Sequence, residues 1–259
     1  MPELPEVESF RRYFETNSLD KKVEKVSVHD KKVLSVSEED LKKAIVGNKF
    51  KSTSRLGKNL IVHLSTGNLL TIHFGMTGYL QYFSRNEDLP KFSRVVFHFS
   101  KEHSLSFVCR RKFGRIDLAE DIKNFQLRKQ IGPDAMELSF DDFYEVFYKK
   151  NSILKAGLLD QSNIAGIGNW LADEIAFQAK LHPGSPFNKL SRKDYQTIHK
   201  KMREIINIAI DERSDYSKFP DNFFVNYRKE DTPCPRCEGL VQKISLAGRT
   251  TYFCPSCQK

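Results

Sequence analysis

A chain of 259 residues, 39% apolar and 29% charged, has the composition of a globular protein and the length for two modest domains. Its 42 Lys and Arg against 33 Asp and Glu leave a formal charge of +9, which favours a polyanionic partner such as nucleic acid. No apolar run reaches the ~18–20 residues of a membrane span, and the first residues are acidic rather than signal-like, which argues against a membrane protein and for a soluble, intracellular one.

The chain opens Met1-Pro2-Glu3-Leu4-Pro5-Glu6-Val7-Glu8. Pro5 suits the first helical position, and Glu6 and Glu8 suit the positive end of a helix dipole. Leu4, Val7, Phe10 and Phe14 recur on one face, so a helix is predicted over 4–14. That helix leaves Pro2 and Glu3 unexplained. An initiator methionine is normally trimmed ahead of a residue as small as proline, which leaves Pro2 with a secondary α-amine. Such groups titrate at about 7.7–8.0, and the free amine is a nucleophile capable of forming a Schiff base. Glu3 beside it can supply general acid or base. On this stretch alone the capped helix start is the simpler reading.

Val23 to Val36 reads as extended or irregular, and Ser37-Glu38-Glu39-Asp40 as a capped helix start with Gly47 as its stop. From Asn48 to about Leu118 the pattern is strands. Residues 60–64 and 69–74 flank Ser65-Thr66-Gly67-Asn68, a hairpin turn, and Arg94–Phe99 alternates ahead of a partner strand at Ser104–Val108. Loops interrupt this pattern. Lys58 lies in a glycine-containing turn, as a solvated lysine or a functional one. Met76 stands between Gly75 and Gly78, as at an exposed tip. Arg110-Arg111-Lys112-Phe113-Gly114-Arg115 sets an aromatic inside a basic run. Basic groups neutralise phosphates and a planar side chain can wedge into a base stack; a hairpin with a buried phenylalanine fits equally well. Cys109 reads as a small buried residue.

Ile131-Gly132-Pro133-Asp134-Ala135 is a turn and the predicted linker. Helices follow, one from Ser139 to about Lys150. After a short helix near Leu158, Gly166-Ile167-Gly168 precedes a longer one starting near Asn169, whose first N–H groups can hold a phosphate. Ser191 caps a long helix with Tyr195, Ile198, Met202, Ile205 and Ala209 on its core face. Ser214 to Asn222 is a polar loop. Four of the five cysteines fall in the last 26 residues, as Cys234-Pro235-Arg236-Cys237 and Cys254-Pro255-Ser256-Cys257. Two CxxC knuckles suit one tetrahedral Zn2+ rather than disulfides in a reducing compartment. Between them a hairpin turns at Ala247-Gly248-Arg249.

These motifs occur together and in order, joined by Gly57-Lys58, His73-Phe74-Gly75-Met76-Thr77-Gly78, Asp160-Gln161 with Ala165 to Asn169, and Gly248-Arg249-Thr250-Thr251 with Phe253-Cys254-Pro255. Over almost its whole length the chain resembles the formamidopyrimidine-DNA glycosylase/endonuclease VIII family. The resemblance implies an α+β protein with three parts: a catalytic β-sandwich domain over 1–130, a helix–two-turn–helix domain over 131–224 and a zinc ribbon over 225–259. Double-stranded DNA with damaged bases or abasic sites is the implied partner, bound between the two halves. A monomer in the cytoplasm or on the nucleoid is expected.

By the same resemblance Pro2 attacks the sugar C1′ and Glu3 protonates the opening sugar ring. Glu6 supports the N-terminus and Lys58 contacts a phosphate beside the lesion. Met76, Arg111 and Phe113 fill the gap left by an everted base. His73, Asn169 and Arg249 hold phosphates, and Lys155 matches a further basic position that contacts DNA. The chain departs from the usual bacterial pattern at Cys109-Arg110, and its Gly168–Glu174 and Ser217–Phe223 segments are closer to the plant and fungal branch. The segment between the long helix and the ribbon is short and lacks a glycine-rich lid, so formamidopyrimidines and hydantoins are expected to be preferred over 8-oxoguanine. A catalytically silent binder of damaged DNA leaves Pro2-Glu3 without a purpose, and so does a zinc-ribbon module of translation or transcription.

Overall fold

Pro5 and Glu6 open α1 (Leu4–Ser18), which runs four residues beyond the predicted face. Val7 and Phe14 are fully buried. The computed structural model describes residues 1–99 and 102–259. It divides into two compact units, one of Met1–Pro2 with Glu6–Gln130, the other of Glu3–Pro5 with Ile131–Lys259.

The first unit is built on two antiparallel four-stranded sheets. One carries β1 (Lys25–Val28), β5 (Gly78–Ser84), β6 (Ser93–His98) and β7 (His103–Cys109), in the order β1-β6-β7-β5. The other runs β2 (Phe50–Leu56), β3 (Asn59–Leu64), β4 (Leu69–His73) and β8 (Arg115–Ala119). Their apolar faces meet in one core that includes Leu60, Leu70 and Ile72 of the second sheet with Val95, Phe97 and Phe107 of the first. Phe50 lies at its centre, 5.1 Å from Phe14 of α1 and 5.8 Å from Phe97 between ring centroids. Helix α2 (Glu38–Ile45) is capped by the Ser37 hydroxyl, which accepts from the Asp40 N–H, and it buries Leu41 and Ile45 against the same core. Its chain reverses at Gly47, in the left-handed region. A further helix, α3 (Ile122–Lys129), is capped by Asp121 and was not expected from the sequence. Only Phe125 is buried on it, so no apolar periodicity announces it.

The second unit is helical, with α4 (Phe140–Phe147), α5 (Leu154–Leu159), α6 (Asn169–Ala179) and α7 (Arg192–Asp211). Ser191 and Asp194 form a reciprocal capping box at the start of α7, and the five apolar residues expected on its inner face are all buried. They pack with Phe143, Phe147, Trp170, Leu171 and Ile175 in a second core, which Leu4 also joins. The C-terminal hairpin of β9 (Gln242–Leu246) and β10 (Arg249–Phe253) turns through Ala247 and Gly248, both at positive φ as a two-residue type I′ turn requires. Among the described residues no helix is long and apolar enough to cross a membrane.

Candidate active site and nucleic-acid contacts

Glu3 is nearly inaccessible, at 3% exposure, and its carboxylate closes the N-terminus of α6. One carboxylate oxygen accepts from the Gly168 N–H at 2.8 Å and the Leu171 N–H at 3.2 Å, and the other from the Trp170 N–H at 3.0 Å. These are the N–H groups left open at a helix start, at the positive end of its dipole. The phosphate expected there is therefore replaced by a side chain of the protein itself. Gly168 makes this possible, since a Cβ at that position would collide with the Glu3 carboxyl group. The Leu4 N–H donates to the Gly166 carbonyl at 3.0 Å, which fixes the backbone beside it. Both oxygens of the acid are thus held within the second unit. Pro2, next in the chain, is partly buried, whereas Met1 is 56% exposed. Glu6 lies partly buried in the first turn of α1.

In the first unit Lys58 follows β2 in a tight turn and is only 8% exposed, so it is not a solvated turn lysine. Asn59 pairs with His73, and His73 with Arg115, which gathers Lys58, His73 and Arg115 at one end of the second sheet. Burial, then the positive charges of Lys58, Arg115 and Lys129, hold the His73 pKa down to about 4. Its imidazole is therefore neutral at pH 7. Nδ1 accepts the Gly75 N–H at 3.2 Å, which leaves Nε2 as the protonated, donating nitrogen. The sequence reading missed Glu8 and Arg55, which brace this end. Arg55 donates to the Gly57 carbonyl at 3.1 Å and lies 3.6 Å from the Glu8 carboxylate. Glu8 also binds Arg11 and Arg12 at helical spacing, a signal that was available in the sequence.

The three residues expected to fill a base gap sit on two adjoining loops. Gly78 at the start of β5 pairs with Cys109 at the end of β7, so the loop that enters β5 and the loop that leaves β7 stand side by side at one end of the sheet. The Arg111 N–H donates to the Thr77 hydroxyl at 3.2 Å. Gly75, at φ +63, lies so close to the other loop that a Cβ would stand 2.5 Å from the Gly114 nitrogen. Arg94 and Arg115 hold the loop's carbonyls from below, at Cys109 and at Lys112 and Gly114. On this rigid base Met76 is 41% and Phe113 51% exposed, with the Arg111 guanidinium 5.0 Å from the Phe113 ring. Phe113 is thus not the buried phenylalanine of an ordinary hairpin. Cys109 is fully buried, as expected.

Two of the expected phosphate contacts in the second unit lie together. Asn169 donates to the Thr250 carbonyl at 3.1 Å, and Arg249 is exposed at the start of β10. Lys155 is different. Its side chain is fully buried, with Nζ 2.6 Å from Asp173 Oδ1. Burial pushes the lysine amine down and the Asp173 carboxyl up, and the opposite charges counter both shifts. A direct contact from Lys155 to DNA is therefore corrected: its charge is committed inside the protein. Asp173 and its neighbour Glu174 were also missed, although two acids inside the apolar run Trp170 to Phe177 are unusual. Glu174 accepts from Gln178 and from the Val225 N–H, both at 2.8 Å, and burial lifts its pKa to about 7.

The sulfur atoms of Cys234, Cys237, Cys254 and Cys257 all lie within 4.8 Å of one another, and no disulfide joins them. Four thiol sulfurs in this grouping fit one structural zinc. The knuckles are braced from outside the set. Gln258 accepts the Cys254 N–H at 2.8 Å, and Arg236 stacks on Phe177 while donating to its carbonyl at 2.8 Å. Phe177 in turn stacks on Phe224, 4.4 Å away, in the small core beneath the ribbon.

Family models match three stretches of the chain: the formamidopyrimidine-DNA glycosylase N-terminal domain over residues 1–116, the H2TH domain of that glycosylase over 131–220, and the zinc finger found in FPG and IleRS over 232–259. A formamidopyrimidine-DNA glycosylase of Desulforamulus reducens is 34% identical, over all of this chain and 99% of the relative. One of Arabidopsis thaliana is 33% identical over the whole chain and 71% of the relative. Among solved structures, Lactococcus lactis Fpg in complex with abasic-site DNA superposes with a TM-score of 0.91 at 30% identity, covering 99% of both chains. The same protein with Fapy-dG-containing DNA gives 0.89 at 30% identity, covering 99% of this chain and all of the other.

Proposed function

This chain belongs to the formamidopyrimidine-DNA glycosylase family, and from that membership we propose how it works as a bifunctional DNA glycosylase and AP lyase of base-excision repair. The substrate is double-stranded DNA carrying an oxidised base or an abasic site, as in the complexes of its Lactococcus relative. The observation that supports the mechanism best is the Glu3 carboxylate, held by three N–H groups one residue from Pro2.

Trimming of Met1 frees the Pro2 secondary amine, which attacks C1′ of the damaged nucleotide. The glycosidic bond breaks, the base leaves with a proton, and Glu3 protonates the ring oxygen as the sugar opens to the iminium. Glu3 then carries protons through β,δ-elimination, and water hydrolyses the iminium to return the free amine. Glu6 supports the N-terminus. Lys58 meets the phosphate beside the lesion. His73 donates from Nε2 as a neutral imidazole, and Asn169 and Arg249 hold further phosphates. Met76, Arg111 and Phe113 fill the space of the everted base, whose extrusion costs a few kcal/mol. Zinc on the four cysteines orders the ribbon and supplies no chemistry to the reacting sugar. The working parts are 1–130 for catalysis, 131–224 for the helix–two-turn–helix and 225–259 for the ribbon, in a monomer acting in the cytoplasm or on the nucleoid.

Borohydride reduction in the presence of an abasic-site duplex tests the reading. The mature protein is expected to be trapped covalently through Pro2, and Pro2→Gly to keep a primary amine and part of the trapping. A mature protein that retains Met1 and full activity would remove Pro2 from its role. No trapping at all, with DNA bound, would favour a silent binder of damaged DNA.

A further inference from the structure

Several parts of the second unit converge on the strand that begins with Arg249. The carbonyl of Thr250 accepts from Lys155 Nζ on α5 at 3.1 Å and from Asn169 Nδ2 at the start of α6 at 3.1 Å. Asp173, one turn along α6, holds Lys155 with one oxygen. Its other oxygen accepts from Nε and Nη2 of Arg228 at 3.0 and 2.9 Å, and from the Tyr252 N–H at 3.4 Å. The Thr251 hydroxyl donates to the Arg249 carbonyl at 3.2 Å. Lys155 and Asp173 are fully buried, and Arg249 is exposed.

A buried ammonium aimed at a backbone carbonyl, in the strand that carries an exposed arginine, has one structural consequence. It fixes where that strand runs across α6. We infer that Lys155 is a positioning residue for Arg249, acting through the Thr250 carbonyl with Asp173 as its anchor. This rests on the reading of Arg249 as a phosphate contact. Lys155 meets no DNA; it limits the conformations from which Arg249 can reach a phosphate. Removing its charge leaves Asp173 paired with Arg228, a neutral pair, and leaves the Tyr252 contact in place. Lys155→Met is therefore expected to fold and to keep zinc, while Asp173→Ala would strand the buried Lys155 ammonium and leave the half-buried Arg228 without its carboxylate.

The test is a double-mutant cycle in the full-length, zinc-loaded protein. It compares wild type, Lys155→Met, Arg249→Ala and the double variant on a duplex with a non-cleavable abasic analogue, over a range of salt. Arg249→Ala is expected to weaken binding on the order of tenfold, as for one charged hydrogen bond, and to flatten the salt slope by about 0.9. Lys155→Met should reproduce most of that loss, and the double variant should bind no worse than Arg249→Ala alone. Zinc content and thermal midpoint are measured for each protein, and Lys155→Gln replaces the methionine variant if that one unfolds. Losses that multiply in full, or a further drop of about 0.9 in slope when Lys155→Met is added to Arg249→Ala, would make Lys155 an independent contact and overturn the proposal. So would normal binding by Lys155→Met. Normal binding by Arg249→Ala would instead remove the reading of Arg249, and the proposal with it.

Discussion

Glu3 is held by three backbone N–H groups at the start of α6, and this shapes what its substitutions do. Glu3→Gln keeps one acceptor oxygen for the α6 N–H groups but loses the acid. Base excision should fall on the order of 10²–10⁴-fold, the usual worth of a general acid–base group, with duplex affinity changed far less. Normal excision by this variant in single-turnover assays would remove the assigned role. Gly168→Ala tests the same carboxylate from the other side, since its methyl group displaces the carboxyl group without removing the acid. A loss of about 10²-fold is expected for a displacement near 1 Å. His73 supplies a pH dependence with a definite sign. Its folded pKa of about 4 lies below the unfolded value, so the unfolded chain takes up the proton first as pH falls. The neutral imidazole's contribution to stability is complete above about 6.5 and is lost as pH drops towards 4. His73→Gln should flatten that part of the stability profile, followed by chemical denaturation at successive pH values; an unchanged profile would place the titration elsewhere. At this scale the four cysteines were legible because residue type and spacing carry their chemistry. Lys155 was not, because only the fold shows Asp173 against it.

Helix starts read well at the element scale: Ser37, Ser139 and Ser191 each cap the helix expected after them. A cap depends on a few adjacent residues, so it survives without knowledge of the tertiary fold. Helix α3 escaped because it buries a single phenylalanine, and the Gly166-Ile167-Gly168 turn was misread because its anion comes from residue 3, far away in the chain. The paired loops carrying Met76 and Phe113 show the reverse case, a motif whose composition suggested exposure and whose geometry supplies the rigid support. On the proposed reading, Phe113 acts on the DNA stack. Phe113→Ala should slow excision from a paired duplex by roughly tenfold, the worth of one lost stacking contact. It should have less effect on an abasic or mismatched site, where part of the extrusion cost is already absent. Equal losses on both substrates would mark Phe113 as merely structural.

Across the whole molecule, the proposed function assigns the holding and reading of the DNA partner to the ribbon and the segment before it. The core beneath the ribbon contains only five buried residues, two of them the ligands Cys234 and Cys254, so metal rather than burial must order it. Cys234→Ser should release zinc and weaken DNA binding through disorder around Arg249; a ribbon that stays intact after chelation would contradict this. On the proposed reading, lesion choice turns on the segment 214–222. Sequence composition showed it to be short and poor in glycine, and the structure adds that it is anchored through Phe219 while most of its other residues are exposed. Tyr216 lies edge-on to Trp170 at 5.5 Å, Phe219 is 6.1 Å from the same ring, and Phe219 and Phe223 are buried. The Tyr216 carbonyl is tied to Asn226 at 3.0 Å. A segment held by three aromatic rings has little freedom to close over an everted purine and present polar groups to it. Strong discrimination of 8-oxoguanine from guanine needs such buried polar readout. Ring-opened formamidopyrimidines and hydantoins distort their pairing and are extruded more easily, so they depend less on readout. Single-turnover excision of those lesions should therefore exceed that of 8-oxoguanine opposite cytosine in matched duplexes. A rate for 8-oxoguanine equal to or above theirs would show that the packed Tyr216–Phe219 turn itself recognises the base.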